Sequence, residues 1–341
     1  MKFNVSVLGF CIAALLTACG GGDPYDAGAH KVTYVAQASN FVGNGNYGDG
    51  DGTGNDVQFS NPNAVALASN GDLYVADGNQ IRKVTDAGVV STVAKINNTG
   101  FFGVAVDSTG NIFASSYTNV IYKISAATPP EVTIYAGMDG APGLVDSLNP
   151  LSAKFDSPKG MAIDRDDNLY IADSNNNAIR KIARDGAVST VAGTGFNHPA
   201  AIAVDVSGNL YIADTYNNVI RKISATGFVT TVAGSGVRAY ADGTGNAASF
   251  NIPQGITIDK NGNLIVADTG NHSIRTVTVS GVVTTLAGDG ETAGLSNDID
   301  WRAKFDSPMG IAVSPNPGPN VKFYLADNGN RRIRLLKMIW I

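Results

Sequence analysis

Five aspartates each precede an arginine at short, recurring spacing: Asp77 and Arg82, Asp173 and Arg180, Asp214 and Arg221, Asp268 and Arg275, Asp327 and Arg334. A ring of carboxylates suits a hard divalent cation. The arginines point to different chemistry, because a guanidinium satisfies a carboxylate through charge-assisted hydrogen bonds, bidentate where the planes align. One further copy of the surrounding string has Ser115 where the aspartate is expected and Tyr122 where the arginine is expected. Both charges are lost together, which is the pattern of a pair that serves structure. These ten residues are therefore read as five structural Asp–Arg pairs.

Other candidates are weaker. Asp49–Asp56 reads DGDGTGND, with Asp at the first and third places and Gly at the sixth place of a calcium loop. The twelfth place, where such loops need an acid, holds Ser60. The related string DGTGNAASF at Asp242–Phe250 marks both as glycine-rich turns, with calcium as the alternative. No cofactor is expected. The three histidines, His30, His198 and His272, have no metal-ligand spacing. No nucleophile-elbow string occurs, so no catalytic residue is assigned.

What would position these groups is a repeat. The string GNLYIADTYNNVIRKISATGFVTTVAG (Gly208–Gly234) recurs closely at Gly71–Lys95, Asp167–Gly193 and Gly262–Gly288, and more distantly at Gly110–Gly137 and Val321–Ile341. Short β-rich runs such as LYIA and VIRKI alternate with turn residues and show no helical period. An apolar run, opened by Pro in most copies, precedes each string; VTTVAG or its equivalent ends it. Four short strands per unit of about 40 residues is the signature of a propeller blade. Only two of the 29 acidic residues are Glu, which fits a turn-rich all-β chain.

The string Pro-x-Gly-[Ile/Met]-Ala, then Gly-Asn-Leu-Tyr-[Val/Ile]-Ala-Asp, then Ile-Arg-Lys-[Ile/Val] resembles the NHL repeat family from about Lys31 to Lys337. The resemblance implies a β-propeller whose members mostly bind partners, with a minority of related six-bladed propellers acting as metal-dependent hydrolases or lyases. Lys31–Gln37 matches a fourth strand, and the final copy stops after its third. The expected fold is thus an all-β, six-bladed propeller over 31–341, closed by the N-terminal strand, which removes exposed sheet edges. Phe59, Phe155, Phe196, Phe250 and Phe305, before the inner strands, read as plugs between blades. Long loops at Ala38–Gln58, Met138–Lys154, Ser235–Ser249 and Asp289–Lys304 are expected on the top face, with the turns between second and third strands.

Where the rest repeats, one column varies. The residue before the inner-strand Gly or its equivalent is Asn63, Phe102, Lys159, Ala200, Gln254 and Met309 around the ring. One per blade would face the channel mouth, so Asn63, Phe102, Lys159, Gln254 and Met309 are the candidate ligand-binding residues; relaxed constraint at an exposed position is the alternative.

Met1–Ala18 reads as a secretion signal, with Lys2 before a short apolar segment. Its end, Leu16-Thr17-Ala18-Cys19, resembles the lipobox of bacterial lipoproteins, which implies lipidation of Cys19 and a tether over 19–30. The absence of Asp directly after Cys19 favours, by the same resemblance, the outer membrane of a Gram-negative envelope. A formal charge of −5 with no Lys/Arg run argues against nucleic acid. The expected function is a lipid-anchored envelope binding or scaffold module, monomeric, with a protein, peptide or glycan partner. The rivals are a metal-dependent envelope lyase or lactonase and a purely structural envelope protein. Lactonase-like propellers place acids and amides on the inner strands; here these strands carry Ala, Val, Ile and Leu, with Thr257 as the main polar exception.

Overall fold

A computed structural model describes residues 34–314 and 321–340. Six antiparallel sheets form blades around a central axis. The inner strands are Pro62–Leu67, Phe101–Val106, Pro158–Ile163, Pro199–Val204, Pro253–Ile258 and Pro308–Val313, numbered here as blades 1 to 6. The outer strands of blades 1 to 5 are Val89–Lys95, Val132–Gly137, Val188–Ala192, Val229–Ala233 and Val282–Ala287.

The outer strand of blade 6 is Tyr34–Val42, paired with Arg332–Trp340 in register from Tyr34↔Trp340 to Val42↔Ile333. The N-terminal strand therefore closes the ring. It extends beyond Gln37 to Val42, so the long loop that follows begins later than expected; Lys31–Thr33 lie outside the described residues. Closure also appears in the packing. Six apolar clusters fill the six gaps between blades, and one of them joins Val65 and Val75 of blade 1 to Ala312 and Leu335 of blade 6. Phe59, Phe155, Phe250 and Phe305 are fully buried in these clusters and Phe196 nearly so, so each acts as a plug between sheets.

The lower turns follow from one side chain. Asp205, at the end of an inner strand, accepts the amides of Ser207 and Asn209 at 2.8 and 2.9 Å and the Asn209 side-chain amide at 2.7 Å. Asp107, Asp164 and Asp259 do the same in their blades. Partial burial raises the Asp205 carboxyl, but these donors outweigh it and hold the group below its ordinary range.

Candidate functional site

The top of every inner strand breaks register at one point. The ladder slips between Pro62 and Ala64, Phe101 and Gly103, Pro158 and Met161, Pro199 and Ala201, Pro253 and Gly255, and Pro308 and Ile311. A bulge re-aims the side chain it holds. Glycine follows because the inner strands nearly touch there: a Cβ on Gly255 would sit 1.9 Å from the Met309 carbonyl oxygen, and one on Gly160 would sit 2.6 Å from that of Ala200. The Pro-x-Gly string is thus a bulge that presents x and a contact that draws the blades together.

These bulges place Asn63, Phe102, Lys159, Ala200, Gln254 and Met309 around one cavity of about 240 Å³, with Asn61 and Asn328. Beneath it runs a channel of about 290 Å³ walled by Ala, Val, Leu, Ile and Met of the inner strands, with Thr257 as its hydroxyl. The six side chains are not equally available. Asn63 donates to the Phe101 carbonyl at 2.8 Å and accepts from Asn328 at 3.1 Å, so its amide stitches blades 6, 1 and 2. Gln254 has no such partner among the described residues. Lys159 has no carboxylate partner there either, and its ammonium lies 6.0 Å from the centre of the Phe102 ring. Burial without an anion disfavours its charged form and lowers its pKa from the ordinary lysine value.

Asn61 and Asn328 also line the mouth, outside the variable column of the repeats. The signal for Asn328 was present: it follows the strand-end Asp327, where Thr215 and Thr269 follow Asp214 and Asp268. Those hydroxyls donate to the next blade's proline carbonyl, to Pro253 at 2.9 Å and to Pro308 at 2.7 Å. Asn328 does the same to Pro62 at 3.1 Å, with a longer arm that reaches the mouth.

The five Asp–Arg pairs lie within blades, away from the mouth. Arg82–Asp77, Arg180–Asp173, Arg221–Asp214, Arg275–Asp268 and Arg334–Asp327 close at 3.2, 2.8, 3.0, 2.8 and 2.9 Å. Each contact uses one carboxylate oxygen, and the other oxygen accepts backbone amides, as Asp77 does from Ser60 and Asn61 at 2.8 and 2.7 Å. Burial pushes the Asp268 carboxyl up to about 6, against the pull of Arg275 and the surrounding amides. Four guanidinium groups stack near a plug, between 4.9 and 5.4 Å from Phe59, Phe155, Phe250 or Phe305. One assignment needs correction. Ser116, not Ser115, holds the aspartate position of blade 2, because Phe101 pairs with Ser116 as Pro199 pairs with Asp214. The turn after it is one residue shorter, which shifted the alignment by one. Ser115 instead accepts the Gly103 amide at 2.8 Å and donates to the Lys159 carbonyl at 2.5 Å.

The long loops are a second correction. Expected on the top face, they instead pair along the outer strand of the following blade. Gly52–Thr53 and Gly243–Thr244 add a fifth strand to blades 1 and 5. Each loop is clamped by the arginine it covers: Arg82 to Asp51 at 2.7 Å, Arg180 to Asp146 at 2.7 Å, Arg275 to Asp242 at 2.6 Å and Arg334 to the Asn297 side-chain oxygen at 2.9 Å. The calcium-like segment is used the same way. Its Asp51 takes Arg82 and its Asp49 takes Lys95 at 2.7 Å.

His272 occupies a turn position with φ of 49°, where three other blades use Asn119, Asn177 and Asn218. Its Nδ1 accepts the Ser307 amide at 3.0 Å, as the Asn218 side-chain oxygen accepts that of Ile252 at 3.0 Å. His198 stacks on Tyr216 with ring centres 4.8 Å apart. Among the described residues no three His, Cys, Asp or Glu side chains gather as a metal site. The donors lining mouth and channel are amides, one ammonium and one hydroxyl, which do not fit a divalent cation. His30 and Cys19 lie outside the described residues.

The NHL repeat model matches residues 155–182, 196–223 and 250–276, and the Teneurin NHL domain model matches 34–122. Human NHL repeat-containing protein 2 is 29% identical over 92% of this chain, which spans 44% of that protein's length. An auxiliary nutrient binding protein from Bacteroides thetaiotaomicron superposes with a TM-score of 0.71 at 20% identity, over 90% of this chain and 77% of that one. A gluconolactonase from Xanthomonas campestris superposes at 0.61 with 13% identity, over 89% and 90%. These two likenesses carry the fold alone. By its repeat strings, its six closed blades and the models it matches, the chain belongs to the NHL repeat family of β-propellers.

Proposed function

We propose that this chain is a cell-envelope binding module, anchored by lipid at Cys19 in a Gram-negative outer membrane, whose propeller mouth recognises an anionic ligand. One observation carries the reading: six unlike side chains converge on a single mouth above an apolar channel, and the one cation among them, Lys159, has no carboxylate partner among the described residues. Concave sites with apolar walls and a few polar groups are the usual form of a ligand site. Lys159 offers an ammonium to a carboxylate or carbonyl, Phe102 a face to a sugar or aromatic ring, and Gln254 an amide that has no partner among the described residues. A glycan, peptide or protein segment supplies such groups. The auxiliary nutrient binding name of a structural neighbour is compatible with recognition at this face. The lyase or lactonase reading is weaker, since the channel lining supplies no carboxylate or imidazole for a metal.

A thermal-shift screen with acidic and neutral glycans and peptides tests the recognition half. A ligand that binds only the folded chain raises the melting temperature. Acidic ligands are expected to do so and their neutral analogues not; a preference for neutral ligands would count against Lys159. For the anchor, Cys19→Ser is expected to move the protein from the membrane pellet to the soluble fraction. Retention in the pellet without detergent would contradict it.

A further inference from the structure

The outer edges of the six blades are treated differently. In blades 1, 3, 5 and 6 a loop segment pairs along the outer strand: Gly52–Thr53, Ser147, Gly243–Thr244 and Ile299 respectively. On blade 3 the exchange is complete, with Val188 donating to Ser147 at 2.8 Å and Ser147 donating back at 3.1 Å. The loop aspartate of blades 1, 3 and 5 also accepts the backbone amide of an outer-strand threonine, Thr92, Thr190 or Thr285, at 3.0, 3.0 and 3.1 Å. Beneath each cover a valine is buried: Val90, Val188 and Val283 are 2%, 4% and 1% exposed.

Blade 4 follows a short loop, and among the described residues no segment pairs along Val229–Thr231; the blade 5 loop meets this strand only past its upper end, where Gly245 accepts the Gly234 amide at 3.0 Å. Its equivalent valine, Val229, is 38% exposed, and Phe228 beside it is 73% exposed. Among the described residues Arg221 is the one arginine of the five with no loop side chain as partner; its Nη2 donates instead to the Gly195 carbonyl of the short loop at 3.0 Å. Its side chain is 24% exposed where the other four are 0%. With no loop side chain to meet, it folds onto Thr231 Oγ1 at 2.9 Å. Blade 2 also has no paired edge segment among the described residues, but Tyr122 replaces its arginine. Blade 4 alone keeps every element of the clamp except the strand that it clamps.

We propose that the outer edge of blade 4 docks an extended, aspartate-bearing segment of a partner protein, which adds as a fifth strand. The chain's own loops show the mode on sister blades, as a short fifth strand on blades 1 and 5 and as a single bridge on blade 3, each with its aspartate on the arginine. The partner backbone pairs with the outward amide and carbonyl of Val229, and its aspartate takes the Thr231 amide and the Arg221 guanidinium. Its apolar residues cover Val229 and Phe228. Strand addition of this kind draws affinity from backbone bonds and selectivity from alternate side chains. The site is separate from the mouth, so it stands whether or not the mouth binds a ligand.

The probe is a fluorescent peptide reproducing Ala239–Ala248 (AYADGTGNAA), the segment that covers blade 5. Blade 5's own edge stays filled, because its covering loop is tethered beside it and competes at high effective concentration. Anisotropy titration against the full chain is expected to saturate. Asp242→Asn in the peptide is expected to weaken binding at least tenfold. Arg221→Gln risks the fold by stranding Asp214, so Thr231→Pro is the principal variant. Proline is tolerated on an edge strand where the amide faces outward. Thr231→Pro is expected to keep the melting temperature within a few degrees and to lose binding. Absence of saturable binding, or equal binding by Thr231→Pro, overturns the proposal. Concentration-dependent dimerisation of the chain that Thr231→Pro abolishes would make the occupant a second copy and overturn the assignment to a partner protein.

Discussion

A single charge pair shows how far residue types alone carry. The spacing of Asp268 and Arg275, and the joint loss of both charges in blade 2, were enough to read an ion pair from sequence. The third member, Asp242, was not legible, because it lies in a loop whose path depends on the neighbouring blade. Asp268 and Arg275 are both fully buried, so Asp268→Ala strands the Asn251 amide and leaves Arg275 with Asp242 as its one carboxylate, and is expected to cost about 3 kcal/mol in denaturant unfolding. Asp214→Ala should cost less, since Arg221 is 24% exposed and can turn to water. The double change Asp214→Ala with Arg221→Ala should be less than additive. Strict additivity would mean the two side chains do not act on one another.

Strands and turns were more legible than loops. Alternation, prolines and Asx turns are local, so the strand count and the closing strand followed from the string itself. Bulges are not local. They arise where an inner strand meets its neighbour, so the mouth position was found from variation between copies and not from any strand signal. The long loops were misplaced for the same reason: their course is set by an arginine about 30 residues away in the next blade, at separations of 31 to 34 residues in blades 1, 3 and 5. Closure makes an element-scale prediction. Removing residues through Gln37 strips Val35 and Ala36 from the blade 6 edge, both buried. A loss of about 4 kcal/mol is expected, or on the order of 10 °C in melting temperature. An unchanged melting temperature in scanning calorimetry would show that the ring does not need the strand.

At the scale of the whole molecule, a sixfold frame holds a mouth without sixfold symmetry. On one side the Asn328 side-chain amide donates hydrogen bonds to Asn61 and Asn63, while on the other Lys159 and Gln254 have no hydrogen-bond partner for their side chains among the described residues. This side is proposed to bind an anion through Lys159. The direct test is isothermal titration of the acidic ligand selected by the thermal-shift screen into the wild-type chain and into Lys159→Ala with Gln254→Ala. A hydrogen bond to a charged group contributes about 1.5–3 kcal/mol, so the double variant is expected to bind more than tenfold more weakly. Neither side chain supports the frame, so its melting temperature should match wild type. Anion binding needs the charged ammonium, and burial lowers the Lys159 pKa. Wild-type affinity should therefore hold at neutral pH and fall as pH rises, earlier than an exposed lysine would give, while the double variant shows no such fall. Equal affinity of the two proteins, with the same pH profile, would contradict the assignment of the mouth as the binding site.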